Sequence, residues 1–100
     1  MEMKNENQMQ IELKEEIANG IYANLAVIAH SSSEFVMDFI NMMPGVAKSQ
    51  VRSRVIMAPE HVKRLAMALA DNINRYEEQF GKIELHDRLS ANSSKFRGEA

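Results

Sequence analysis

Cysteine is absent from this 100-residue chain, and so is tryptophan. Without thiols the chain forms no disulfide and no thiolate metal site, and a Cys-free composition suits a cytoplasmic protein. An excess of one charge is also missing. The formal net charge is −2, whereas a general nucleic-acid binder is usually basic. Long apolar runs are lacking too, and none approaches the ~18 residues that a membrane span needs. The segment Met1 to Gln10 is polar and carries Glu2 and Glu6, so no secretory leader is expected. Proline and glycine are scarce, with two and four respectively, and those present punctuate the pattern.

What is there is a strand running into a long helix. Val51 to Met57 alternates as a strand and breaks at Ala58-Pro59. Val62, Leu65, Ala66, Leu69, Ile73, Tyr76 and Phe80 then trace one apolar stripe at a helical period. Glu60, Lys63, Asp71, Asn74 and Glu78 lie off that stripe. Pro59 suits the first helical turn, where a missing N–H costs nothing. Gly81 suits the left-handed residue that ends a helix.

Upstream, residues 1–9 read as a disordered N-terminal segment. A weak alternation over 10–17 predicts a short strand, with a helical fragment as the competing reading. Asn19-Gly20 is a two-residue hairpin signal. Ile21 to His30 and Glu34 to Met42 alternate as further strands, joined by a turn at Ser31 to Ser33. Met43-Pro44-Gly45 predicts a type II turn. Short turns make successive strands antiparallel neighbours. The expected fold is therefore α+β: an antiparallel meander of three to four strands, then one long amphipathic helix packed on one face. The domain spans 10–83, with a polar, flexible tail over 84–100.

Parity divides the strand residues between two faces. The helix is expected to cover Leu25, Val27, Phe35, Phe39, Val55 and Met57. Leu25, Phe35, Phe39 and Val55 would then share a protomer core with Leu65, Leu69 and Ile73. The opposite face would carry Tyr22, Ile28, Val36, Ile40, Met42 and Ile56 among the polar Asn24, Asp38, Arg52 and Arg54. That is too apolar for a free face on a small monomer, and a symmetric homodimer is the simplest cover. Tyr22, Ile28, Val36, Ile40 and Ile56 are the interface residues this reading names.

Chemistry is sparse. His30, His61 and His86 are too far apart for any metal-ligand motif. No phosphate loop, nucleophilic triad or zinc spacing occurs, so no catalytic, metal or cofactor site is expected, and the chain reads as non-enzymatic. Asp38 can face Arg54 or Arg52 across neighbouring strands as an ion pair. Arg52 and Arg54, helped by Lys48, are the candidate anion contacts. With Tyr22 the sole stacking aromatic on that face, nucleic acid is a disfavoured partner.

Four runs carry a family resemblance. They are Gly20-Ile21-Tyr22-Ala23-Asn24, then Ser33 to Phe39 with Pro44-Gly45, then Arg54 to Leu65, followed by Asn72 to Gly81 with its Tyr76-Glu77 and Phe80-Gly81 pairs. Over residues 11–83 the chain resembles the small prokaryotic family called domain of unknown function 3467. Ala58 departs from that family, which usually has Ser or Thr before the proline. The family has no established activity, so the resemblance implies no reaction. Its order of strands and long helix is loosely similar to the SecB export chaperones, which bind unfolded peptide. A peptide- or client-binding role is thus the alternative to a homo-oligomeric interaction module, and the eight methionines suit adaptable contacts.

Overall fold

The computed structural model describes residues 2–5 and 8–86. Two strands come first, β1 (Glu2–Asn5) and β2 (Gln8–Glu12), followed by a single helical turn, α1 (Glu15–Ala18). A three-stranded meander follows, β3 (Leu25–His30), β4 (Phe35–Ile40) and β5 (Val51–Met57), in the order β3-β4-β5 with both pairings antiparallel. The long helix α2 (Pro59–Phe80) closes the order. The class is α+β, as the patterning predicts.

The N-terminal part departs from expectation. Residues 1–9 read as disordered, but Glu2–Asn5 pairs antiparallel with β2, so main-chain hydrogen bonds supply an order that composition does not signal. The strand expected over 10–17 ends at Glu12. Glu15 to Ala18 turn helical instead, as suits good helix formers with acidic side chains in the first turn. Asn19-Gly20 makes no hairpin. Gly20, with φ +70, closes α1 by donating its N–H to the Ile17 carbonyl at 3.0 Å. Of the tail expected over 84–100, residues 87–100 lie outside the described residues.

Turn chemistry behaves as predicted further on. The Val46 N–H donates to the Met43 carbonyl at 3.3 Å, and Gly45 takes φ +81, the left-handed position a type II turn requires. The Ser31 N–H donates to the Glu34 carbonyl at 2.9 Å and closes the β3–β4 hairpin.

That hairpin decides the faces. His30 pairs with Phe35 and Ile28 with Met37, so even-numbered residues of β3 share a face with odd-numbered residues of β4. Leu25 and Val27 therefore stand with Val36, Asp38 and Ile40, the reverse of the expected assignment. The reason is the length of the connection: four residues, Ser31 to Glu34, separate the strands, and one residue more or fewer would exchange every side chain of β3. Between β4 and β5 the parity is as expected, with Val36 opposite Ile56 and Met37 opposite Val55.

The helix start follows its sequence signals. Pro59 opens α2, and Ala58 in front of it is extended and offers no side-chain cap. The Ala58 carbonyl accepts from the N–H groups of His61 and Val62, both at 3.0 Å. Substituting Ala58→Ser gives a first-turn N–H an oxygen partner. It is expected to stabilise the fold by about 1 kcal/mol, measured by urea unfolding.

Met37, on the middle strand, is 5% exposed and is the one buried side chain among the described residues. The expected protomer core is not sealed. Phe35, Phe39 and Leu25 are half-buried. Leu65, Leu69 and Ile73 remain 40%, 56% and 41% exposed. No residue of α2 is buried, and its contact with the sheet is marginal. Among the described residues no helix is long and apolar enough to cross a membrane.

Candidate functional site

The two faces of the meander differ in chemistry. On one, Met37 is flanked across the strands by Ile28 and Val55, with Phe35 and Phe39 along β4. The His30 ring stacks on Phe35 there, with centroids 5.3 Å apart. On the other, Val36, Asp38 and Ile40 of β4 lie between Leu25 and Val27 of β3 and Arg54 and Ile56 of β5. The second face is an apolar patch crossed by one ion pair.

Of the two partners open to Asp38 in the sequence, Arg54 and Arg52, the structure pairs it with Arg54. Asp38 and Arg54 are directly opposite in register. The guanidinium donates from Nε to Oδ1 at 2.7 Å and from Nη2 to Oδ2 at 2.8 Å, the two-pronged geometry that arginine presents to a carboxylate. These hydrogen bonds hold the Asp38 carboxyl below its usual range, against the opposing pull of partial burial. The same bonds push the Arg54 guanidinium up. The pair satisfies the polar atoms of a patch that is otherwise Leu, Val, Ile and Ala.

The structure separates the predicted interface residues. Val36, Ile40 and Ile56 share the Asp38 face. Ile28 lies on the opposite face beside Met37, because the hairpin connection shifts β3 by one residue relative to the expected register. Tyr22 precedes β3, outside the sheet, and is 73% exposed. The candidate anion contacts also part. Arg54 is engaged by Asp38. Arg52 falls where the register shifts, since Phe39 pairs with Ser53 and Ile40 with Val51, so it sits at a β-bulge. With Lys48, Met43 and Val46 it lines an open cleft of about 170 Å³. The histidines do not converge: His30 stacks on Phe35, His61 is exposed in the first turn of α2, and His86 is exposed beyond it.

Asn24 holds a role that alternation does not reveal. Its Nδ2 donates to the Met42 carbonyl at 3.0 Å, and its Oδ1 accepts from the Met42 N–H at 2.8 Å. Its own N–H donates to the Ile40 carbonyl at 3.0 Å. A carboxamide carries the same donor–acceptor pair as a peptide, so the side chain continues the β3–β4 ladder past its last residue. This fixes the end of the patch at Leu25 and Ile40. An asparagine in an alternating stretch reads only as a polar side chain, so nothing in the pattern identifies this bond.

The family model described as "Protein of unknown function (DUF3467)" matches residues 1–85. The chain belongs to that family. Comparisons with curated proteins and with solved structures return no match.

Proposed function

We propose that this family member is a non-enzymatic, cytoplasmic protein-interaction module that works as a homo-oligomer. The observation that supports the reading is the incomplete burial of apolar surface. Met37 alone is buried among the described residues, while Val55, Ile56, Leu65, Leu69, Ile73, Tyr76 and Phe80 all remain at least 39% exposed. Large exposed apolar surface on a small soluble chain marks sites of association, and a chain this short has little stability to spare. Association of copies buries that surface without further chain.

The Asp38 face suits such a contact. It is apolar at Leu25, Val27, Val36, Ile40 and Ile56, and its one charged pair is already mutually satisfied, so covering it strands no lone charge. Light scattering on the eluting peak at micromolar concentration is the test. The expected mass is a multiple of 11.4 kDa, and a clean single-chain mass overturns the reading.

The second reading, a client-binding module, draws on the same open surface and on the exposure of Met9, Met43 and Met67, since methionine surfaces adapt to varied partners. Its discriminating test is suppression of aggregation of a denatured client. An oligomer without such suppression leaves only the first reading.

A further inference from the structure

We propose that α2 pairs antiparallel with α2 of a second copy, about a two-fold axis that crosses the seam at the level of Asp71, beside Ala70. The proposal rests on the homo-oligomer reading above and names one contact within it.

The first support is the spacing of the stripe. Val62, Ala66, Leu69, Ile73, Tyr76 and Phe80 are separated alternately by four and three residues. That is a seam of alternating d and a positions, the pattern of a helix that packs against another helix. The seam also reads the same in both directions. Val62 lies as far from Asp71 as Phe80 does, and Leu69 as far as Ile73. An antiparallel copy therefore sets Val62 against Phe80, Ala66 against Tyr76 and Leu69 against Ile73. Each layer joins a smaller side chain to a larger one or two of similar size, so the layers fill evenly. The seam residues from Leu69 to Phe80 are 41% or more exposed, so none is already occupied.

Charge gives the direction. Two ion pairs on the helix are internal, Glu60 with Arg64 and Asp71 with Arg75, each at 2.6 Å, and both lie away from the seam. Lys63 and Glu77 stand instead at the e positions that border it. Among the described residues neither forms an ion pair; Glu77 Oε2 accepts only the Ile83 N–H, at 3.0 Å. In an antiparallel pair each e position faces an e position of the partner, and such flanking charges set orientation. Lys63 then meets Glu77 of the partner subunit, twice by symmetry, with the small Ala70 at the axis. In a parallel pair Glu77 would face Asn72 and Lys63 would face Ala58, with no attraction at either.

Charge reversal in the full chain tests this. Lys63→Glu alone sets two acidic pairs against each other, and Glu77→Lys alone sets two basic pairs. Each variant is expected to lower self-association by about tenfold at low salt. Mixing the two variants restores it, because every cross-copy pair becomes opposite in sign, and the double variant restores it as well. Circular dichroism checks that α2 stays helical in each. Glu77→Gln keeps an acceptor for the Ile83 N–H and separates loss of charge from loss of that bond. If the wild type is oligomeric and neither reversal weakens it, or if neither mixing nor the double variant restores it, the helix pairing is overturned while the homo-oligomer stands. A wild-type monomer overturns both.

Discussion

Met37→Ala is expected to cost ~2–5 kcal/mol, a large share of what holds a domain whose total stability is typically ~5–15 kcal/mol. Met37 occupies the middle strand with cross-strand neighbours on both sides, Ile28 and Val55, and it alone is closed off from water among the described residues. Truncation removes its methylenes and thioether from a site that two hydrogen-bonded strands keep from collapsing, so a cavity remains. Met37→Leu conserves volume and is expected to cost under ~1.5 kcal/mol. Urea unfolding of the two variants reads the difference, and equal midpoints would show that the site relaxes without loss. Leu69→Ala is the informative comparison. Amphipathicity places Leu69 in a protomer core, where the same truncation would cost as much. At 56% exposure it loses little within one chain, so any large destabilisation at Leu69 reports assembly.

The contrast between those residues separates the parts of the fold that are legible in local sequence from those that depend on distant pairing. α2 is written in local terms: Pro59 at its start, a continuous stripe, Gly81 at its end with φ +97. β5 and the parity of its pairing with β4 are equally plain, although the sequence leaves Arg52 and Arg54 both open to Asp38 and does not announce the register shift beside Arg52. The face assignment of β3 is not local. It turns on whether the Ser31–Glu34 connection holds an odd or even number of residues, and the alternation of β3 is apolar on both sides, with Ile28 on one and Leu25 and Val27 on the other. Nothing in the strand itself penalises the wrong choice. The pairing of β1 with β2 is hidden for a different reason, because polar residues pair through their backbones without leaving a hydrophobic pattern. A stripe also announces that a helix will be covered without saying by what, which is why Leu65, Leu69 and Ile73 read as core and stand exposed. The candidate interface suffers from the first of these effects. Val36, Ile40 and Ile56 survive as one patch, Ile28 moves to the other face, and Tyr22 falls outside the sheet.

Ile56→Asp is expected to dissociate the oligomer while leaving each protomer folded. Ile56 is 55% exposed in the single chain, so an aspartate there meets water, and surface substitutions of that kind usually change stability by less than ~0.5 kcal/mol. Once a second copy covers the Asp38 face, the same carboxylate is buried without a partner, because Arg54 is already committed to Asp38. An unpaired buried charge costs several kcal/mol, enough to shift association out of the micromolar range. Ile40→Asp acts on the same face with a different balance. Ile40 is half-buried and pairs with Leu25, and its carboxylate would lie two residues along the strand from Asp38 and compete for Arg54. It should therefore both dissociate the oligomer and weaken the protomer. Light scattering reads the mass, and thermal unfolding reads the protomer. If neither substitution changes the mass, the Asp38 face meets solvent, and the copies associate through surface that the sheet does not provide, with the α2 seam the remaining apolar stripe long enough to hold them.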